Sequence, residues 1–174
     1  MKWLLAGLAV LVALIVVVVL VGLLLPRDHV SSRAARYQQS PSEIWSAITD
    51  YSKFPEWRKN IRQVDLLPSA DGKPSWREID SRGHAIPYEI AQSHPPERLV
   101  TRIANPKLPF GGTWTYDISP TPGGGTMLRI TENGEIYNPV FRFVERFFLG
   151  YTQNQDQYLR FLGQKFGETV TIQN

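Results

Sequence analysis

The chain has 174 residues, no cysteine, and 19 basic against 16 acidic side chains. Disulfides, thiol catalysis and cysteine-ligated zinc are thereby excluded. With Lys2 set aside, the remaining charge is too evenly balanced for an electrostatic nucleic-acid footprint, so no nucleic-acid partner is expected.

The first element is a run of 23 apolar or glycine residues from Trp3 to Leu25. As a helix it is about 34 Å long and matches a hydrocarbon core of about 30 Å. The competing reading is a secretory signal peptide, whose charged start Lys2 supplies. Its apolar region would span only about 7 to 15 residues, however, and "GLLLPRDH" offers no small-x-small cleavage site. The expectation is a single-pass N-terminal membrane anchor over residues 1–26 and one domain over 27–170. Arg27, Arg33 and Arg36 outnumber Lys2 and lean toward a cytosolic domain. A lysine-led signal anchor gives the reverse, so both orientations stay open.

A first strand is expected in the Val30 to Gln39 region. "SPSEIWSAITDYSKFPEW" then opens a helix: Ser40 is the N-cap, Pro41 suits the first position, and Glu43 completes a capping box. Ile44, Trp45 and Ile48 form its apolar side. Asp50 with Ser52 offers a second cap before Phe54-Pro55, where proline turns its predecessor away from helix. Six short strands follow, at Arg62–Leu67, Trp76–Asp80, Ala85–Ala91, Leu99–Ala104, Thr113–Ile118 and Met127–Ile136. All are rich in β-branched and aromatic residues. Turns such as "SADGKP", "SHPPER" and "SPTPGGG" join them as an antiparallel meander. From about Val140 to Phe166 the period becomes helical, with Val144, Phe147, Tyr151, Tyr158, Leu162 and Phe166 on one stripe. The fold class is α+β: a curved antiparallel seven-strand sheet around a long C-terminal helix, behind one transmembrane helix.

In this order the elements resemble the helix-grip superfamily of pollen allergens, START lipid-transfer domains and polyketide cyclase/dehydrase-like proteins. The resemblance spans about Val30 to Gly167. It is carried by the opening helix pair quoted above, by "GGTWTYDISPTPGGGTMLRIT" as the last hairpin, and by the closing helix. It implies a cup for an apolar or amphipathic small molecule, and it supplies no universal catalytic motif.

The side chains expected to line such a cup are Trp57, Tyr88, Trp114, Tyr116, Glu132, Phe147, Tyr151 and Gln155. Trp57 either lines the cavity or plugs one end. Strict period two carries Glu132 to the interior with Leu128 and Ile130, whereas a bulge near Gly134 would turn it to solvent. Gln155 interrupts the apolar helical stripe and faces either a ligand or a neighbouring strand. Leu108 and Phe110 in "NPKLPFGG", with Phe148, suggest a mouth at the bilayer interface. His29, His84 and His94 lack metal spacing, no Gly-x-Ser-x-Gly elbow occurs, and Gly123–Gly125 form a hairpin turn, so no metal or cofactor is expected. Non-catalytic binding of a hydrophobic small molecule or lipid is the primary expectation. The alternatives are a cyclase/dehydratase using Glu132 or a cavity tyrosine, and a tethered assembly module with a filled cup. Ligand identity and any protein partner are not legible.

Overall fold

The computed structural model describes residues 1–68, 72 and 74–174, so most of the turn read at "SADGKP" lies outside the described residues. Helix α1 (Lys2–Leu24) is long and apolar enough to cross a membrane. Strand β1 (Asp28–Tyr37) follows almost at once. Helix α2 (Pro41–Thr49) starts on the expected capping box: Ser40 accepts from the Glu43 backbone and the Glu43 side chain accepts in return from Ser40. A single 3₁₀ turn, Tyr51–Lys53, leads into the short α3, Phe54–Trp57.

The sheet is an antiparallel meander through β2 (Ile61–Leu67), β3 (Ser75–Asp80), β4 (Ala85–His94), β5 (Arg98–Ile103), β6 (Phe110–Pro120) and β7 (Thr126–Ile136). Strand β1 pairs beside β7. The sheet has eight strands rather than seven, because Ile172–Gln173 (β8) adds a two-residue edge opposite Ala34 and Ala35. Register shifts at Ile61/Gln63 and Ile90/Gln92 bend the sheet, since an extra residue on one strand increases local twist.

The long closing helix expected from Val140 to Phe166 is broken into three pieces. Asn138 Oδ1 accepts from the Val140 and Phe141 backbones and starts α4 (Pro139–Val144), which runs into a π-helical turn, Glu145–Leu149. Gly150 then adopts φ 73° and ψ 168°, a region open essentially to glycine alone, which ends the helical run before α5 (Gln153–Lys165). A stripe of apolar side chains reports a shared face but not the backbone break between two helices that share it.

Helix α5 and α2 close the concave face. Ile44 and Ile48 from α2, Leu128 and Ile130 from β7, and Leu159 and Leu162 from α5 are all essentially inaccessible. Strand β7 alternates strictly, burying Thr126, Leu128, Ile130, Gly134 and Ile136. Its ladders to β1 and β6 run unbroken, which rules out the bulge near Gly134 and sends Glu132 to the concave side.

Helix α1 does not project freely from this domain. Gly22 is buried against Pro139, and any Cβ at position 22 would overlap the Pro139 carbonyl. The buried Arg142 guanidinium donates to the Leu25 carbonyl at 2.8 Å, and the Ile136 N–H donates to the Arg27 carbonyl at 2.9 Å. Helix α4 therefore lies level with the last turn of α1. Since a helix rises about 1.5 Å per residue, Gly22 sits only about 3 Å short of the helix end at Leu24.

Candidate functional site

Between the sheet and the helices lies a cavity of about 450 Å³, within the roughly 300–1,000 Å³ usual for small-molecule sites. Strand register fixes which end is open. Ile136 pairs with Phe110, and Asp80 pairs with Ile61, each at one and the same edge of the sheet. Residues of that edge (Asp80, His84, Ile103, Phe110, Ile136), with Phe141, Glu145 and Leu149 above them, form the rim. The floor lies deeper along the strands, at Ile48, Tyr51, Leu99, Tyr116 and Tyr158.

Aromatic rings dominate the inner wall. Tyr51 stacks on Trp76 with centroids 3.7 Å apart, and Trp76 stacks in turn on Tyr88 at 5.6 Å. Tyr158 meets Trp114 edge-on at 5.9 Å. These rings surround one buried ion pair, in which Arg58 Nη1 donates to Glu78 Oε1 at 2.9 Å and Trp76 Nε1 donates to the same oxygen at 3.0 Å. Burial works against the Arg58 charge, but the Glu78 carboxylate, together with the nearby Tyr158 and Tyr116, more than offsets it and leaves the guanidinium firmly protonated. Its positive face also covers the Phe54 and Tyr158 rings, at 4.8 and 5.1 Å. Burial pushes the phenols of Tyr51, Tyr88, Tyr116 and Tyr158 far up, so they act here as neutral hydrogen-bonding groups.

A second polar group sits nearer the rim. The His29 ring stacks on Tyr151 at 4.1 Å, with Nε2 3.7 Å from Glu132 Oε1. Gly134 makes room for it, because a Cβ there would overlap the imidazole. Burial raises the Glu145 carboxyl, His29 draws it back down, and Glu132 adds to the rise. On the far side of the rim His84 Nδ1 lies 2.9 Å from Asp80 Oδ2, a contact that lowers the Asp80 carboxyl. Among the described residues no cluster of histidines and carboxylates has the form of a metal site.

Of the residues singled out in the sequence, the structure brings Tyr88, Trp114, Tyr116, Glu132, Tyr151 and Phe110 to the cavity wall. Five others lie elsewhere. Trp57 is buried behind the floor, edge-on to Phe54 and Tyr158, because α3 turns that ring toward α5. Gln155 is fully buried on the strand side, where its amide donates to the Ser31 carbonyl at 3.1 Å and accepts from Ser31 Oγ at 3.3 Å. Phe147 and Phe148 point outward from the π-helical turn, 56% and 73% exposed, since that turn precedes the break rather than continuing the α5 stripe. Leu108 is half-buried in the loop before β6 and does not reach the wall.

Sequence reasoning passed over Arg58, Trp76, Glu78, Glu145, Tyr51 and His29. A signal for Glu78 was present: it stands two residues from Trp76 on one strand, so period two places both on the same face. Arg58 follows α3 with no periodicity to betray its direction.

A family described as "Polyketide cyclase / dehydrase and lipid transport" matches residues 31–161. Among solved structures, the chain is similar to norcoclaurine synthase from Thalictrum flavum. The TM-score is 0.64 at 10% identity, covering 81% of this chain and 87% of that one. A START superfamily protein from Mycobacterium smegmatis aligns with TM-score 0.60 at 18% identity, covering 79% and 96%. The di-domain ARO/CYC StfQ from the steffimycin biosynthetic pathway aligns with TM-score 0.59 at 16% identity, covering 78% of this chain and 49% of that one. The chain thus spans about half of the StfQ di-domain. At these identities the likeness shows the START-like fold. No curated protein matches the chain by sequence. The match over 31–161, on a sheet and helix arranged as just described, makes this chain a member of the polyketide cyclase/dehydrase and lipid transport family.

Proposed function

We propose that the protein is a membrane-anchored, non-catalytic binder of a hydrophobic small molecule or lipid, which enters its cavity from the bilayer. The observation that carries this reading is the shared edge: α1 leaves the domain at the same end of the sheet as the cavity rim, and α4 ties the two together. Val140, Phe141, Phe147, Phe148 and Leu149 are exposed at this level, beside the last turn of α1. Around a bilayer-spanning helix such residues sit in the lipid interface, and Phe141 and Leu149 also belong to the rim.

An open cavity of this size speaks against the assembly module with a filled cup. The cyclase/dehydratase reading needs an acid or base with a pKa near the operating pH, and burial moves the four phenols away from it. That supports binding over tyrosine-driven catalysis.

The test uses the full chain in phosphatidylcholine vesicles, following energy transfer from tryptophan to added pyrenebutanol. Phe148→Asp slows the rise roughly tenfold, because a charge replaces one inserted ring. Thermal stability stays within about 0.5 kcal/mol, as expected for an exposed position. An unchanged rate would contradict entry from the bilayer.

A further inference from the structure

Among the described residues the cavity wall carries four carboxylates, Glu78, Asp80, Glu132 and Glu145, against one guanidinium, Arg58. Arg58 and Glu78 cancel in their buried pair. What remains is a negative surplus, and it is concentrated at the rim. Asp80 lies against the exposed His84 on one side, and Glu132 lies 3.7 Å from His29 on the other. Every molecule entering the cavity passes these groups.

The floor adds no charge of its own. Tyr51 and Tyr158, only 7% and 3% exposed, line it with phenols that burial keeps neutral.

Resting on the binding function proposed above, we infer that the cavity selects its ligand by charge, accepting cationic and neutral amphiphiles and rejecting anionic ones. A carboxylate or phosphate head at the rim meets like charge in a partly desolvated setting, where repulsion is stronger than in water. An ammonium head there is attracted by Glu132 and Glu145. A neutral alcohol or ketone is tolerated at the rim, because it brings no like charge to it. Fatty acids and acidic phospholipids are thereby excluded as ligands, whereas amines, alcohols and uncharged carbonyl compounds are admitted.

The experiment is calorimetric titration of the full chain, in nanodiscs of zwitterionic lipid, with phenylbutylamine, phenylbutanol and phenylbutyrate at neutral pH, against empty nanodiscs. These probes share one apolar body and differ in head charge. The amine is expected to bind tightest and the acid weakest, separated by about tenfold or more, as befits close charge contacts at a partly solvated rim. In the doubly substituted chain Glu132→Gln, Glu145→Gln the amine-to-acid ratio falls toward one. Equal affinities in the unsubstituted chain, or tightest binding of the acid, would overturn charge selection while leaving the cavity a binding site. A ratio unmoved by the double substitution would place the selectivity elsewhere and overturn its assignment to this rim. Failure of all three probes to bind would overturn the binding function itself, and charge selection with it.

Discussion

Arg58 and Glu78 stand in the wall of an apolar cavity with only 12% and 8% of their side chains exposed. Each is tolerable there because of the other. Removing one partner strands the second charge away from water, which typically costs about 3–5 kcal/mol. Arg58→Leu should therefore lower stability in urea by that amount, while Arg58→Leu with Glu78→Leu recovers most of the loss. A single substitution costing under about 1 kcal/mol would show that cavity water already solvates Glu78. This pair also marks how far individual residues can be read from sequence. Period two along β7 puts Glu132 with Ile130, and the same rule along β3, though passed over, suffices to put Glu78 with Trp76. Gln155 was equally visible as a polar break in an apolar stripe, but its choice between cavity and strand depended on Ser31, some 124 positions away. Local periodicity names the face and says nothing of the partner.

Among the elements, the strands and α2 follow from local rules: turn residues, β-branched runs and a complete capping box. The C-terminal segment does not, because its break rests on one backbone conformation. Gly150 has open space where a Cβ would stand, so an alanine there meets no clash and is opposed by φ 73° and ψ 168° alone. Gly150→Ala is expected to lose about 1–3 kcal/mol of stability in a urea titration, the usual cost of holding a non-glycine residue in that region. Stability unchanged within error would mean that the Leu149–Thr152 link can take another path without disturbing α5. The expectation of Phe147 in the cavity lacks this break: a helix continuous through residue 150 keeps Phe147 in phase with Tyr158.

At the scale of the whole molecule, the sequence conveyed the order of parts (apolar helix, sheet, closing helix) but not how the apolar helix and sheet meet. Nothing in the apolar run singles out Gly22, yet Gly22 lets α1 lie against Pro139 and brings the rim of the cavity level with the end of α1. The central claim is that this cavity holds one apolar molecule. It is tested most directly by titrating a dibrominated dodecanol into the full chain carrying Trp3→Phe, in phosphatidylcholine nanodiscs, and following tryptophan emission. Trp76 and Trp114 stand in the cavity wall, and bromine quenches only on close approach. Saturable quenching at one equivalent per chain, reduced when Trp114 is replaced by Phe, is the predicted result. Quenching that rises without saturation, in proportion to probe dissolved in the bilayer and indifferent to Trp114→Phe, would contradict it.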